Sequence, residues 1–440
     1  MCNTTPQIQK EFPSTFCGNF SKCQNEGRLE WVAPLKTIVE EWGLLCDKDY
    51  IPQAMNSIQQ LGAFCSVLLG GPLADRFGRK KTFVPMYIIM LFFGFAGALA
   101  PSWEILIFCR FMSGGGFAAC VIILYVWSVE SCGTKQSLYV NLSGLWSISY
   151  VITSVIGYYT ASWRSFLTTL NLLGLVLFFG VFYFVESPRW LLQNRELEKT
   201  AFNLNIISKK NLQDSVKCLT TENIQKISIE SEKDIKTFSI KKLCSSRRLV
   251  FYTGLFIVMV ATIKIAVDLF ILQIAELSGS PFYKFALFGF GRVWIPFTIY
   301  YLDQFPWFGR RHMLLIPTSL IFFCYVAIFF AVSAEPHMGT FVFVGLLVAA
   351  LLTNFNWTAI AQLQAELFPT TVRNTAISIV FLFDGGIGVI VPQLIYFEKY
   401  WQALPYLLIS VIAAFSLFCG YLFLPETKGR NMPEHMDQVI

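Results

Sequence analysis

The chain has 440 residues, of which 55% are apolar and 14% charged, with a formal net charge of +6. Soluble proteins carry about 25% charged residues, so a single water-soluble core is excluded, and so modest a positive charge argues against a nucleic-acid partner. The apolar runs do not alternate with polar residues, which excludes a membrane β-barrel.

Taken in chain order, residues 1–50 are polar and contain no apolar signal segment. Four of the twelve cysteines, Cys2, Cys17, Cys23 and Cys46, lie here beside the sequons Asn3-Thr4-Thr5 and Asn19-Phe20-Ser21. They point to an extracellular segment with disulfides and glycans; unpaired thiols and chance sequons are the alternative, and the pairing is not readable. About eleven apolar spans follow, near 51–73, 82–100, 103–128, 138–160, 165–185, 249–275, 283–302, 312–332, 339–362, 374–397 and 402–424. Each is long enough to cross the hydrocarbon core as a helix. A basic stretch near 187–247 divides five spans from six.

The loop after the first span carries Arg76, Arg79, Lys80 and Lys81, and the loop before residue 312 carries Arg310 and Arg311. Loops near 101, 161, 277, 335 and 398 hold few basic residues. Positive charge collects on the cytoplasmic side, so residues 1–50 are expected outside, and residues 187–248 and the C-terminus inside, the plasma membrane. No phosphate-binding loop, zinc motif or nucleophile–histidine grouping is present. Neither enzyme activity nor a cofactor is expected. The expected partners are a small organic ion and membrane lipid, with the oligomeric state open.

Gly71-Pro72-Leu73-Ala74-Asp75-Arg76-Phe77-Gly78-Arg79-Lys80 resembles the loop motif of the major facilitator superfamily. Asp303 with Gly309-Arg310-Arg311 holds the matching place in the second half, where Pro306-Trp307 reads as an insertion that weakens the likeness. Finer motifs are Thr37-Ile38-Val39-Glu40-Glu41-Trp42, Glu186-Ser187-Pro188-Arg189-Trp190-Leu191 and Arg110-Phe111-Met112-Ser113-Gly114. Glu366-Leu367-Phe368-Pro369 through Arg373-Asn374, and Pro425-Glu426-Thr427-Lys428-Gly429-Arg430, complete the set. In this order they are similar to the organic cation, organic anion and carnitine transporters, solute carrier family 22. The resemblance implies an all-α membrane protein with the major facilitator fold, two helical bundles around a central cavity that opens to alternate sides. It also implies a helix before residue 1, so that 51–186 reads as an incomplete N-terminal bundle, 187–248 as a cytoplasmic loop, 249–424 as a six-helix bundle and 425–440 as a tail.

Charge inside a membrane is costly and usually functional, and few residues qualify. Counting without gaps from Arg373 to Pro392 puts the family's charged position on Gly385. Asp384 is its neighbour, about 100° around the helix. Asp384 is either an anchor for a cationic group or the partner of a basic residue on another helix. Lys264 and Asp268, four apart on one face, are read as an internal ion pair that lowers the cost of burying both, the alternative being a pair that substrate or a proton opens. Arg292 is a partner for those acids or a site for an anion. Trp146 and Tyr150 are the best candidates for aromatic cavity walls. Gln53, Asn56, Gln60, Asn354, Asn356 and Gln362 are further candidates, either lining the cavity or bonding between helices. By resemblance, Asp75, Arg76, Arg79, Glu130, Glu186, Arg189, Glu366 and Arg373 form charge networks that control the inward gate. The expected function is secondary transport of organic ions, with Asp268 and Asp384 favouring cations. An organic anion or carnitine-like carrier, and a non-transporting receptor-like protein, are the alternatives.

Overall fold

The computed structural model describes residues 36–131, 145–160, 162–210, 246–274, 280–334, 339–368 and 370–428. Among these there is no strand beyond one isolated bridge between Lys36 and Ser162. The helices are α1 (Ile38–Trp42), α2 (Ile51–Phe77), α3 (Arg79–Ala98), α4 (Trp103–Ser131), α5 (Leu145–Tyr159), α6 (Trp163–Gly180), α7 (Pro188–Gln193) and α8 (Leu197–Lys210). After the basic stretch come α9 (Arg247–Gln273), α10 (Pro281–Asp303), α11 (Arg310–Ala334), α12 (Gly339–Leu367), α13 (Thr370–Tyr396) and α14 (Leu404–Phe423).

Local chemistry sets several boundaries. Thr37 and Glu40 close a capping box over α1, and Gly43, at φ 59°, ends it in the left-handed region. Ser162 caps α6 through the Ser165 amide. Gly78 divides α2 from α3 at φ 106°, a conformation that side chains resist.

The helices pack as two bundles. In the first, α4 lies against α2 and α3, and α3 against α6. Glycines let α2 and α4 approach almost backbone to backbone: a Cβ on Gly62 would strike the Phe111 carbonyl, and one on Gly114 would stand 2.5 Å from the Gln59 carbonyl. In the second bundle α9 is central, against α12, α13 and α14, while α11 packs on α12 and α14. Its core holds Phe256, Phe270, Phe288, Phe368 and Tyr325, the last donating its hydroxyl to the Ala266 carbonyl at 3.2 Å.

The bundles meet along a seam where α2 runs beside α13 and α5 beside α10. Outside the seam the surface is apolar. Helix α6 buries only Trp163, and the face of its second half is apolar, with Val176, Leu177 and Phe179 exposed. Water would not tolerate that face; lipid requires it. Nine of the described helices are long and apolar enough to cross a membrane. The other two expected spans fall on α2, whose Gln53, Asn56, Gln59 and Gln60 lower its hydropathy, and on α5, described over only fifteen residues.

Because the α2–α4 contact has no room for a side chain, Gly62→Val should force the helices apart at a cost of about 3 kcal/mol or more. Size-exclusion profiles in detergent should show the folded fraction falling sharply, while Gly71→Val, where nothing lies within 4 Å, should leave it near wild type.

Candidate substrate site and the charge braces

Two charged spots lie on the seam. The first is acidic. Lys264 and Asp268 on α9 form an ion pair of 3.1 Å, with side chains only 19% and 15% exposed. Asp384, midway along α13, lies within electrostatic reach of both. Its carboxylate makes no hydrogen bond among the described residues. One turn further, Gly388 opens a notch for Lys264: a Cβ there would stand 2.8 Å from Lys264 Cε and 3.3 Å from Gln60 Oε1 of α2. The backbone at Gly385 in turn faces Phe64 of α2. The acids of the second bundle therefore sit against the first.

The second spot is basic. Arg292 on α10 is buried and donates to Asn354 Oδ1 on α12 at 3.1 Å. Its guanidinium lies 5.8 Å from the Tyr150 ring of α5 and 5.2 Å from the Phe288 ring. Its Nε is buried without a hydrogen bond among the described residues. Trp146 donates its indole N–H to the Tyr150 hydroxyl at 3.0 Å. The structure thus brings Tyr150, Trp146 and Arg292 together across the seam, and Lys264, Asp268 and Asp384 into a neighbouring group, with Tyr150 within electrostatic reach of both Lys264 and Arg292. Among the amides, Gln60 and Asn354 join these spots, whereas Asn356 turns away to the Thr318 hydroxyl at 3.1 Å. Gln53 and Gln362 each bury a side-chain oxygen without a described partner.

At the basic end, each bundle carries the same brace. In the first, buried Arg79 donates to Glu130 at 2.7 and 3.1 Å and to Asp75 at 2.6 Å. Glu186 accepts the backbone N–H of Arg79 at 2.8 Å and of Lys80 at 3.1 Å, capping α3. Gly78 is again required, since a Cβ would stand 2.8 Å from the Glu186 carboxylate. Trp190 ties the segment down by donating to the Asp75 carbonyl at 2.7 Å. In the second, Arg310 pairs with Asp303 and, at 3.3 Å, with Glu366. Glu426 caps α11 by accepting from Arg310 at 2.9 Å and Arg311 at 3.2 Å. Lys428 takes the part of Trp190, donating to the Asp303 carbonyl at 2.6 Å. The extra residues Pro306 and Trp307 are absorbed in the turn, and the pairing survives them.

Arg76 stands outside the first brace, over the Phe77 ring at 5.4 Å. Arg189 is exposed and unpaired among the described residues. The side chain of Arg373 lies outside the described residues. The braces act within each bundle; aromatic contacts such as Tyr125 with Phe381 join the bundles along the seam, and polar ties between them lie at the opposite end. There Asp49 pairs with Lys399 at 2.5 Å and accepts from the Tyr396 hydroxyl at 3.2 Å. Gln393 donates to Ser57 at 3.0 Å, and Ser154 to the Phe282 carbonyl.

The model for sugar (and other) transporters matches residues 36–439. The chain belongs to this transporter family. Its substrate is accordingly a small molecule, and the family is one of carriers rather than enzymes. An uncharacterized protein of Caenorhabditis elegans is 26% identical over 422 residues, covering 91% of this chain and 80% of that one. Solute carrier family 22 member 4 of Mus musculus is 25% identical over 92% of this chain and 72% of its own length. The organic cation/carnitine transporter 2 of Homo sapiens is 23% identical, again over 92% and 72%. The resemblance drawn from the motifs is borne out. The partially occluded inward-open xylose transporter XylE from E. coli superposes with a TM-score of 0.68 at 15% identity, over 88% of this chain and 90% of that one. At that identity the match shows the fold, and the fold is that of the major facilitator transporters.

The transporter's braces were only half visible in the sequence. Glu426 was quoted in a motif without a role, although a glutamate just past the last helix of each half is a repeat that sequence comparison of the halves would reveal. The tie of Asp49 to Lys399 has no local signal.

The capping contacts hold the Glu426 carboxyl below the ordinary range: burial opposes this, but four backbone N–H groups, from Lys428, Arg310, Arg311 and Thr427, outweigh it. Its contribution is therefore fully present above the ordinary carboxylate pKa and is lost as pH falls through the lowered one. Glu426→Gln should cost about 1 kcal/mol at neutral pH, as loss of a helix cap does. Thermal unfolding followed against pH should show the gap between wild type and variant narrowing on acidification. Arg79→Ala leaves Glu130 buried and unpaired, and should cost about 3–5 kcal/mol, read as a large drop in melting temperature in detergent.

Proposed function

We propose that this protein carries small organic cations across the plasma membrane, the seam between its bundles opening to each side in turn, with Asp384 as the cation's anchor. The observation that carries the reading is the state of Asp384. It sits midway along a membrane helix, half-buried, on the seam, and without a hydrogen bond among the described residues. A carboxylate in hydrocarbon costs about 3 kcal/mol unless something answers it, and a substrate ammonium does. Tyr150 and Trp146 supply aromatic faces that suit the rest of such a molecule. Relatives named as organic cation transporters, one of Drosophila melanogaster being 24% identical, support the same class.

In this reading residues 51–186 and 249–424 are the two moving bodies, and 187–248 links them in the cytoplasm. Residues 425–428 belong with the second body, because Glu426 and Lys428 are bonded to it. The disulfide-bonded state of Cys46 supports an extracellular position for the end that holds Asp49. Basic Arg79, Lys80, Lys81, Arg310 and Arg311 at the other end support a cytoplasmic one. Asp75, Arg79, Glu130, Glu186 and Glu366 then stiffen the bodies at the cytoplasmic face.

One observation favours a second reading. Arg292 is buried with a free Nε and no carboxylate partner among the described residues, which suits a carboxylate. A substrate with both charges would use both spots, as a carnitine-like zwitterion does.

Uptake of labelled tetraethylammonium by cells expressing the protein separates the two. The proposal expects saturable uptake that Asp384→Asn reduces by about tenfold or more and Arg292→Gln changes little. Uptake of an organic anion instead, lost in Arg292→Gln and kept in Asp384→Asn, would reverse the assignment.

A further inference from the structure

The acidic spot holds an odd number of charges. Two carboxylates, Asp268 and Asp384, face one ammonium, Lys264, so one negative charge is left over. Other basic groups in the spans are engaged elsewhere: Arg292 with Asn354, Arg110 with Gln59 at 3.2 Å, and Lys284 with the Ile274 carbonyl at 3.3 Å. Lys264 lies within electrostatic reach of both acids. It pairs with Asp268 on its own helix, and its stem lies across α13 in the notch left by Gly388, one turn from Asp384. The side-chain oxygen of Gln60 from the first bundle closes the same notch. The ammonium therefore stands where the two bundles and both carboxylates meet.

We propose that Lys264 is a tethered surrogate for the substrate: it answers Asp384 when the transporter is empty, and an arriving organic cation displaces it onto Asp268 alone. This rests on Asp384 being the cation's anchor. The consequence concerns the return step. A carrier that completes net transport must reorient empty, carrying its site through the low-dielectric middle of the membrane. With Lys264 the empty site holds one uncompensated charge; without it, two. Desolvation of the second charge would raise the barrier to empty return. The loaded site, neutral with Lys264 present, would still be partly compensated by the substrate. Lys264 thus permits net uptake, and because it competes for Asp384 it also weakens the substrate's hold. The glycine at 388 is part of the device, since any side chain there would push the lysine stem from its notch.

The test compares two rates for labelled tetraethylammonium in cells expressing the full chain: uptake into empty cells, and exchange into cells preloaded with unlabelled compound. Surface labelling normalises expression. Lys264→Gln should raise the ratio of exchange to net uptake by about tenfold, within the range of couplings between sites, and lower the half-saturating concentration. Lys264→Arg, which keeps the charge, should restore much of the wild-type ratio. Gly388→Ala changes no charge yet should shift the ratio in the direction of Lys264→Gln, and it decides the matter if Lys264→Gln does not reach the surface. An unchanged ratio in Lys264→Gln, or a Lys264→Arg indistinguishable from it, would overturn the surrogate while leaving the anchor intact. If Asp384→Asn keeps the wild-type half-saturating concentration, the anchor itself fails, and the surrogate with it.

Discussion

A carboxyl side chain in the middle of a membrane span is the feature around which the rest of this protein is arranged. Hydrocarbon offers Asp384 nothing, and its own helix offers no hydrogen bond. The cost, about 3 kcal/mol by insertion scales, is tolerable because the residue faces a neighbouring bundle and a lysine rather than lipid. That arrangement places α13 beside α2, where Phe64 packs at Gly385 and where Gly388 leaves the room that Lys264 and Gln60 occupy. The seam thus carries charge at its centre, while outer faces, such as the second half of α6, are apolar.

A site shared by two bodies works only if each body is stiff. The braces supply this. Each joins the ends of four segments through one arginine and two acids, with a second glutamate capping the next helix. The same chemistry appears in both halves, although Trp190 in one is replaced by Lys428 in the other and the spacing from acid to arginine differs. Between the bodies the seam is mostly side-chain packing, such as Tyr150 on Phe285 and Phe288, and its polar bonds among the described residues are few and exchangeable: one ion pair, a tyrosine hydroxyl, an amide and a serine. Strong bonds lie within the halves and replaceable ones lie between them, which is the division of strength that rocking motion needs.

Much of the fold was legible in the sequence, because hydrophobic length and motif order are one-dimensional signals. The Asp75-to-Arg79 brace was legible for the same reason, as it repeats a local pattern. Lys264 and Asp268 were paired correctly because four residues on one helix suffice to make neighbours. Other parts were not legible. That Lys264 rests on the backbone of Gly388, or that Asp49 reaches Lys399, depends on helices hundreds of residues apart meeting at a particular height. Arg292, a candidate partner for an acid or an anion site in the sequence, bonds Asn354 and lies over Tyr150 and Phe288, contacts that no local pattern announces. The exposed positions of Arg76 and Arg189 were likewise invisible, since a motif marks where charge collects and not which charge turns inward.

The claim at the centre is that the site reads charge rather than bulk. The most direct measurement is equilibrium binding of labelled tetraethylammonium to the purified protein in detergent, competed by unlabelled tetraethylammonium and by its uncharged carbon isostere, 3,3-diethylpentane. The account predicts displacement by the cation and none by the neutral isostere at comparable free concentration. Equal displacement by both would contradict it, showing that the seam binds an apolar shape and that Asp384 answers Lys264 alone.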